Sequence, residues 1–189
     1  MERRRWNSWY DLGCSAAMNE STVRATADAL VTKDLARRGF KYVNLDDCYI
    51  KNRLPNGTLV PDPRTFPSGM RSLGDYIHNV SICPNKTVHN MSICNYSASA
   101  DMMFGVYTDR GPMTCAGRPA AQGFEAIDAA TYANWTVDYL KEDSVRFLPS
   151  ACAQPRCSRP SRIAAKPMPT LGRGQNRPTR LLISSRASR

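Results

Sequence analysis

The sequence predicts an α/β fold built from parallel β/α units, and two observations carry this prediction. Segments with helical spacing of apolar residues alternate with short β-type runs along residues 19–143, an order typical of parallel sheets with helical crossovers. Each β-type run is also followed by polar or acidic residues. Functional groups of open α/β sheets and of barrels gather at the carboxyl ends of the strands, so these polar residues are candidates for one site.

The first helix and strand are predicted from their boundary residues. Asn19 is a favourable N-cap residue. Apolar residues then recur at helical spacing, at Val23, Ala27, Leu30, Val31 and Leu35. Gly39 is predicted to end this helix as its C′ residue. The run Tyr42–Leu45 is predicted to be a strand, and it leads directly into two adjacent carboxylates, Asp46 and Asp47.

A polar loop and an insertion follow this strand. The loop, Leu54–Gly69, contains Pro and Gly and leads to a helix predicted at about Met70–His78. Residues 79–101 have neither the helical nor the strand period, so we interpret them as an inserted loop. Cys83 and Cys94 lie close together within it and are predicted to form a disulfide on that ground alone.

Two more strands and a helix complete the alternation. Met103–Tyr107 is predicted to be a strand that ends at Asp109, and a helix is predicted at about Gln122–Trp135. The last strand is Val137–Asp143.

The last strand carries a lysine and a carboxylate two residues apart. Alternate side chains of a strand share a face, so Tyr139, Lys141 and Asp143 are predicted to project together. A neighbouring Lys favours the ionised form of an Asp, which is the form that a carboxylate nucleophile needs. An ordinary surface ion pair is the alternative interpretation of the same spacing.

The net charge of +10 is concentrated at the end of the chain. Residues 145–189 contain ten Lys and Arg and no Asp or Glu, so the first 144 residues hold the other 16 basic and all 16 acidic residues. The segment also holds six of the 13 prolines, and we predict a disordered basic tail rich in Arg, Pro and Ser. Such a tail could bind polyanions without sequence preference, and no specific nucleic-acid partner is predicted.

Cysteines and glycosylation sequons indicate an oxidising compartment. The chain has seven cysteines. Its seven N-x-Ser/Thr sequons begin at Asn19, Asn56, Asn79, Asn85, Asn90, Asn95 and Asn134. No apolar stretch follows the charged start, so no signal peptide is predicted, and no run has the length of a membrane span. Metal-binding spacings of Cys and His are absent from the sequence, and no metal site is predicted.

Six motifs, in their order along the chain, resemble those of the melibiase-type α-galactosidases, which are retaining enzymes of glycoside hydrolase family 27. The motifs are Trp6–Trp9, Tyr42–Cys48, Thr65–Met70, Gly105–Asp109, Thr114–Gly117 and Trp135–Asp143. The resemblance covers roughly residues 6–144 apart from the insertion. It implies that residues 1–144 form about the first half of a (β/α)₈ TIM barrel, since a complete barrel needs about 250 residues.

The resemblance implies a role for each charged residue of these motifs. Asp143 falls on the catalytic nucleophile of the family, and Lys141 falls on the lysine that hydrogen-bonds the sugar beside it. Asp46 and Asp47 match the acidic pair that accepts hydrogen bonds from galactose hydroxyls. Adjacent residues of a regular strand cannot both face inward, so the alternative is that one of the two only caps a turn.

The aromatic and cysteine residues of the motifs receive roles in the same way. Trp9 and Tyr107 match aromatic walls of the sugar pocket, with plain core aromatics as the alternative. Cys115 falls on a cysteine that lines the pocket, and Cys14 and Cys48 match a disulfide of the family.

The implied activity is hydrolysis of terminal non-reducing α-D-galactosyl residues of an oligosaccharide or glycoconjugate, without a cofactor, in a secreted or lysosomal/vacuolar protein. The family's acid/base carboxylate lies beyond the residue matched by Asp143, and no Asp or Glu follows Asp143 here. We therefore expect this chain to be truncated and inactive alone. Alternatives are an α-N-acetylgalactosaminidase relative, a non-catalytic galactose-binding module, or a polyanion-binding protein acting through residues 145–189.

Overall fold

The computed structural model describes residues 4–80 and 101–144, together with the backbone of two short strands at 165–166 and 182–185. In chain order the elements are β1 (Arg4–Asn7), α1 (Ser8–Asp11), α2 (Glu20–Thr32), β2 (Phe40–Asn44), β3 (Ile50–Arg53), β4 (Leu59–Pro61), α3 (Gly69–Asn79), β5 (Met103–Asp109), α4 (Glu125–Asn134), β6 (Tyr139–Asp143), β7 (Ala165–Lys166) and β8 (Leu182–Ser185). The main sheet has the order β1-β2-β5-β6-β8-β7, and β3 and β4 form a separate hairpin.

The strands β1, β2, β5 and β6 are parallel neighbours, with helices in the connections between them. Asn44 at the end of β2 pairs with Asn7 of β1 and with Gly105 of β5. The register of β5 and β6 places Asp109 opposite Asp143. All four carboxyl ends therefore lie along one edge, and the predicted partial (β/α)₈ barrel is confirmed.

The hydrophobic core lies between the strands and the helices. Alternate strand residues such as Val43, Phe104 and Val106 are fully buried in it. The helices contribute Val23 and Leu73, also fully buried, among others. Because strand side chains alternate between faces, the residues between them point to the other face of the sheet, where the polar strand ends gather.

The start of α2 agrees with the sequence, and its end does not. The Asn19 side chain caps the helix by accepting a hydrogen bond from the Thr22 N–H. The helix ends at Thr32, however, and Asp34 takes a left-handed conformation with φ 59°, which Asp tolerates better than most residues. The prediction that Gly39 is the C′ residue was wrong: with φ 95° it stands immediately before β2.

The segment predicted as a polar loop contains the hairpin of β3 and β4. Arg53 at the end of β3 forms a buried ion pair with Asp128 of α4 and donates to the carbonyls of Gly57 and Ala120. The hairpin is thereby fastened to the start of α4.

Two short strands occur within the segment predicted as a disordered tail. β8 pairs in parallel with β6, and β7 pairs antiparallel with β8. The prediction did not include these two strands. They form at the edge of β6 because unpaired backbone groups at a sheet edge can pair with a further strand. The rest of 145–189 and residues 81–100, with Cys83 and Cys94, lie outside the described residues. Among the helices that the structure describes, none is long and apolar enough to cross a membrane.

Candidate active site

Asp46 lies just beyond β2 and connects three strands. Its carboxylate Oδ2 accepts hydrogen bonds from the Nζ of Lys141 at 2.6 Å and from the Nδ2 of Asn7 at 2.9 Å. Its backbone N–H donates to the Oγ of Ser8. The carboxylate is buried, while 34% of the Lys141 side chain is exposed. The Lys141 side chain therefore remains partly exposed although its ammonium group is held by Asp46.

Asp47 points to a different loop and is held by three donors. Its Oδ1 accepts from the Thr114 hydroxyl at 2.8 Å and from the Cys48 N–H, and its Oδ2 accepts from the Ala116 N–H at 2.8 Å. Burial raises the pKa of Asp47 above its ordinary value, and these donors oppose the rise because they favour the ionised form. The loop after β5 thus carries the groups that keep this carboxylate in place.

Both carboxylates cap the turn after β2 and also contact distant residues. Asp46 accepts from the Asp47 N–H, and Asp47 accepts from the Cys48 N–H. Their remaining contacts reach β1, β6 and the loop after β5. Neither Asp46 nor Asp47 therefore only caps a turn.

A disulfide fixes the turn that carries the acidic pair. Cys48 has a φ of 80° and is bonded to Cys14, with 5.5 Å between the Cα atoms. The pairing implied by the family resemblance is confirmed. It ties the end of the acidic turn to the segment between α1 and α2.

Tyr107 lies between the acidic pair and the end of β6. The Nζ of Lys141 is 4.8 Å from the centroid of its ring, and its hydroxyl donates to the Sγ of Cys115 at 3.9 Å. Burial is the largest influence that raises the pKa of Tyr107, and the charges on Cys115, Asp47 and Asp143 add to it. The Tyr107 hydroxyl therefore stays protonated at neutral pH.

Asp143 closes β6 beside a second carboxylate. One of its oxygens accepts from the Ser144 N–H at 2.9 Å, and its side chain is partly buried. Its neighbour across the register, Asp109, is fully buried and accepts from the Gly111 N–H at 2.7 Å. Arg110 pairs with Glu142 at 3.0 Å. Lys141 and Asp143 both lie within β6, two residues apart, and the shared face of their side chains stays a prediction from strand alternation.

Trp9 stands on α1 at the same edge of the sheet. It is partly buried, and its backbone N–H donates to the Oδ1 of Asn7, the side chain that also contacts Asp46. Within residues 4–80 and 101–144, no group of three or more His, Cys, Asp or Glu side chains is arranged to hold a metal ion.

A family model described as alpha galactosidase A, of the melibiase type, matches residues 2–83 and 83–155. This chain belongs to that α-galactosidase family. Among curated relatives, it is 40% identical to alpha-galactosidase A of Cellvibrio japonicus over 138 residues, 73% of this chain and 29% of that protein. It is 43% identical to an alpha-galactosidase of Cyamopsis tetragonoloba over 145 residues, 76% of this chain and 30% of that protein.

Solved α-galactosidase structures have the same fold. The enzyme of Saccharomyces cerevisiae, solved with raffinose, aligns with a TM-score of 0.62 and 33% identity over 75% of this chain and 26% of that one. Alpha-galactosidase I of Mortierella vinacea aligns with a TM-score of 0.62 and 35% identity over 75% of this chain and 30% of that one. This chain spans less than a third of the length of these relatives.

Three residues of the α-galactosidase motifs hold the site together although the sequence assigned them no role. Asn7 and Ser8 orient Asp46, and Thr114 orients Asp47. Their positions inside the motifs shared with the family were the only sequence signal that could have indicated a role in the site. Their partners are 38 to 67 residues away along the chain, so contact could be read only from the fold.

Proposed function

We propose that this chain carries the galactose-binding subsite and the nucleophile of a retaining α-galactosidase. The observation that supports this most is the position of Lys141, which bonds Asp46, lies over Tyr107 and precedes Asp143 by two residues in β6. In the proposed subsite, a cation, an acidic pair, an aromatic ring and a further carboxylate would surround one galactose.

The proposed contacts follow from the hydrogen-bonding capacity that remains. A carboxylate offers about four acceptor sites, and the described donors use three on Asp46 and three on Asp47. Each can accept from a galactose hydroxyl. Lys141 has three N–H donors and gives one to Asp46, so it can donate to the sugar ring. Tyr107 and Trp9 would contact the C–H face of galactose.

The proposed chemistry begins at Asp143. Its carboxylate attacks the anomeric carbon, the bond to the leaving oxygen breaks, and a galactosyl ester of Asp143 forms, which water then hydrolyses with net retention. In this mechanism a second carboxyl group protonates the leaving oxygen. No Asp or Glu follows Asp143 in the sequence, where the family resemblance places that group. Loss of general-acid assistance typically costs about 10²–10⁴-fold in rate, so we propose that this chain alone binds galactose without measurable turnover.

Titration calorimetry of the full chain with galactose tests this proposal. We expect binding that Lys141→Met weakens at least tenfold, while Lys41→Met leaves it unchanged. Lys41 is a matched control because it also forms an ion pair, with Asp101 at 3.6 Å, at the start of β2 and away from the site. Equal effects of the two variants, or no galactose binding by a folded chain, would refute the proposed subsite.

A non-catalytic galactose-binding module is the second candidate function, and it is favoured by the hydrogen bonds that hold Lys141, Asp46 and Asp47 in place without involving Asp143. Both candidates predict galactose binding without measurable hydrolysis, so covalent trapping separates them. An adduct on Asp143 after reaction with a fluorinated galactosyl fluoride would indicate the nucleophile of a retaining enzyme, whereas galactose binding with no adduct would favour the module.

The proposed substrate is an α-galactoside oligosaccharide or glycoconjugate, and the proposed location is secreted or lysosomal/vacuolar. The Cys14–Cys48 disulfide supports an oxidising compartment.

A further inference from the structure

Three N-x-Ser/Thr sequons lie wholly within the described residues, beginning at Asn19, Asn56 and Asn134. N-glycosylation modifies surface positions of this pattern. For transfer to the folded chain, the Asn amide nitrogen must be free to react, and the third residue of the sequon must be accessible. The three sequons differ strongly in both respects.

Both polar atoms of the Asn19 side-chain amide form hydrogen bonds. Its Oδ1 accepts from the Thr22 N–H as the helix N-cap, and its Nδ2 donates to the Ala16 carbonyl, each at 3.0 Å. Glycosylation there would compete with the hydrogen bonds that start α2.

The sequon at Asn134 is folded into the core after its first residue. Asn134 is exposed, but Trp135 is 7% exposed and the Thr136 hydroxyl is buried without a hydrogen-bond partner. A Cβ on Gly74 would lie 2.6 Å from that hydroxyl oxygen, which shows how closely α3 covers it. The third residue is therefore inaccessible.

Asn56 meets both requirements at the tip of the hairpin of β3 and β4. It is exposed, and its Oδ1 accepts from the Thr58 N–H at 3.1 Å, a contact that does not involve Nδ2. Thr58 is partly exposed. The turn is closed by the Gly57 N–H, which donates to the Leu54 carbonyl at 2.9 Å.

The base of this turn is rigid. Gly57 is buried with a φ of 90°, and a Cβ there would come within 2.8 Å of Ile127 and 3.0 Å of Phe124. The Arg53 guanidinium donates to the Gly57 carbonyl and lies 4.2 Å from the Phe124 ring centroid. The hairpin tip is thus fixed on the start of α4, and Asn56 is exposed beside it.

We propose that Asn56 is an N-glycosylation acceptor. The donor would be a lipid-diphosphate-linked oligosaccharide. A bond forms between Nδ2 of Asn56 and C1 of the first sugar, and the bond from C1 to the phosphate oxygen breaks. The lipid diphosphate leaves with the electron pair of that bond and takes up the proton that Nδ2 loses.

The surroundings give this glycan a physical role. Leu54, Phe124 and Ile127 are 45%, 37% and 38% exposed, and they are three of the five large apolar side chains exposed in the described part of the chain. All three adjoin the hairpin tip. A hydrophilic oligosaccharide on Asn56 covers them and reduces the tendency of this apolar surface to associate.

The test is translation of the full chain, preceded by a cleavable secretion leader, in the presence of microsomes. Only chain protected from added protease is analysed, after glycan removal by an amidase in ¹⁸O-water. We expect ¹⁸O-labelled Asp at position 56 in the tryptic peptide Leu54–Arg64, and unlabelled Asn at 19 and 134. Spontaneous deamidation before this step leaves no ¹⁸O.

Matched variants separate the sequon from the turn. Thr58→Ala should remove the glycan at Asn56, Thr58→Ser should keep it, and Ser21→Ala, which destroys the Asn19 sequon at an exposed position, should change nothing. Unmodified Asn56 in the protected chain would overturn the proposal, as would persistence of its glycan in Thr58→Ala. The result does not depend on galactose binding.

Discussion

Replacing Thr114 by Val should remove one of the three hydrogen bonds that hold the Asp47 carboxylate, with little change in the shape of the side chain at position 114. Thr114 is 5% exposed, and its hydroxyl donates to Asp47 at 2.8 Å and accepts from the Arg118 N–H at 3.1 Å. Valine keeps the branched side chain and removes both hydrogen bonds. The Ala116 and Cys48 N–H groups would remain on Asp47.

The expected size of the effect follows from the charge of the acceptor. A hydrogen bond to a charged group contributes about 1.5–3 kcal/mol, so the free energy of unfolding at neutral pH should fall by about that amount. Burial already raises the pKa of Asp47, so the folded protein binds this proton more tightly than the unfolded chain. Ionisation of Asp47 therefore costs stability as the pH rises from its unfolded pKa through its folded pKa. Losing the Thr114 donor raises the folded pKa further and enlarges that cost.

Urea unfolding of wild type and Thr114→Val at pH 7 and near pH 4 measures this difference. The variant's loss of stability should be larger at pH 7 than near pH 4, because protonated Asp47 no longer needs the donor. The lost contact with Arg118 is independent of pH and remains in both measurements. Thr114→Ser, which keeps the hydroxyl, should recover most of the loss. A loss of equal size at both pH values would show that the Thr114 hydroxyl does not stabilise the ionised form of Asp47.

Three further substitutions test the fold by denaturant unfolding. Gly74→Ala should lower the free energy of unfolding by about 1–3 kcal/mol, because its Cβ would lie 2.6 Å from the backbone carbonyl oxygen of Trp135. Wild-type stability of this variant would show that α3 is not packed so closely. Arg53→Met should lower the free energy of unfolding by about 3–5 kcal/mol, since it leaves Asp128 without its ion-pair partner while the Asp128 side chain is only 2% exposed. An unchanged free energy of unfolding would contradict the anchoring of the hairpin by Arg53. Asn19→Ala should cost about 1 kcal/mol through loss of the cap on α2, and an unchanged unfolding midpoint would exclude that role.

Local sequence signals predicted the parts of the fold that depend on local physics. The N-cap at Asn19 and the period of α2 needed only neighbouring residues. The hairpin was missed because β3 and β4 are short and their Ile50–Arg53 and Leu59–Pro61 segments lack a clear alternation. Gly39 was misassigned because Asp34 ended the helix region first, in a conformation that Gly more often adopts.

The candidate site was only partly predictable for a different reason. The sequence placed carboxylates at three strand ends, and a parallel sheet brings such ends together. It could not show that Lys141 bonds Asp46, 95 residues away, or that Asp47 is held by Thr114. Those pairings depend on sheet register and on the path of the loop after β5, which no local pattern encodes.

Covalent labelling tests the central claim, that Asp143 faces the anomeric carbon of a galactose held by Asp46, Asp47 and Lys141. A fluorinated galactosyl fluoride suits this chain because fluoride departs without help from the carboxyl group that its sequence lacks after Asp143. Peptide mass mapping of the labelled full chain should find one adduct, on Asp143, whose formation excess galactose suppresses. An adduct on another residue, or no adduct in a folded chain that binds galactose, would contradict the assignment of Asp143 as the nucleophile.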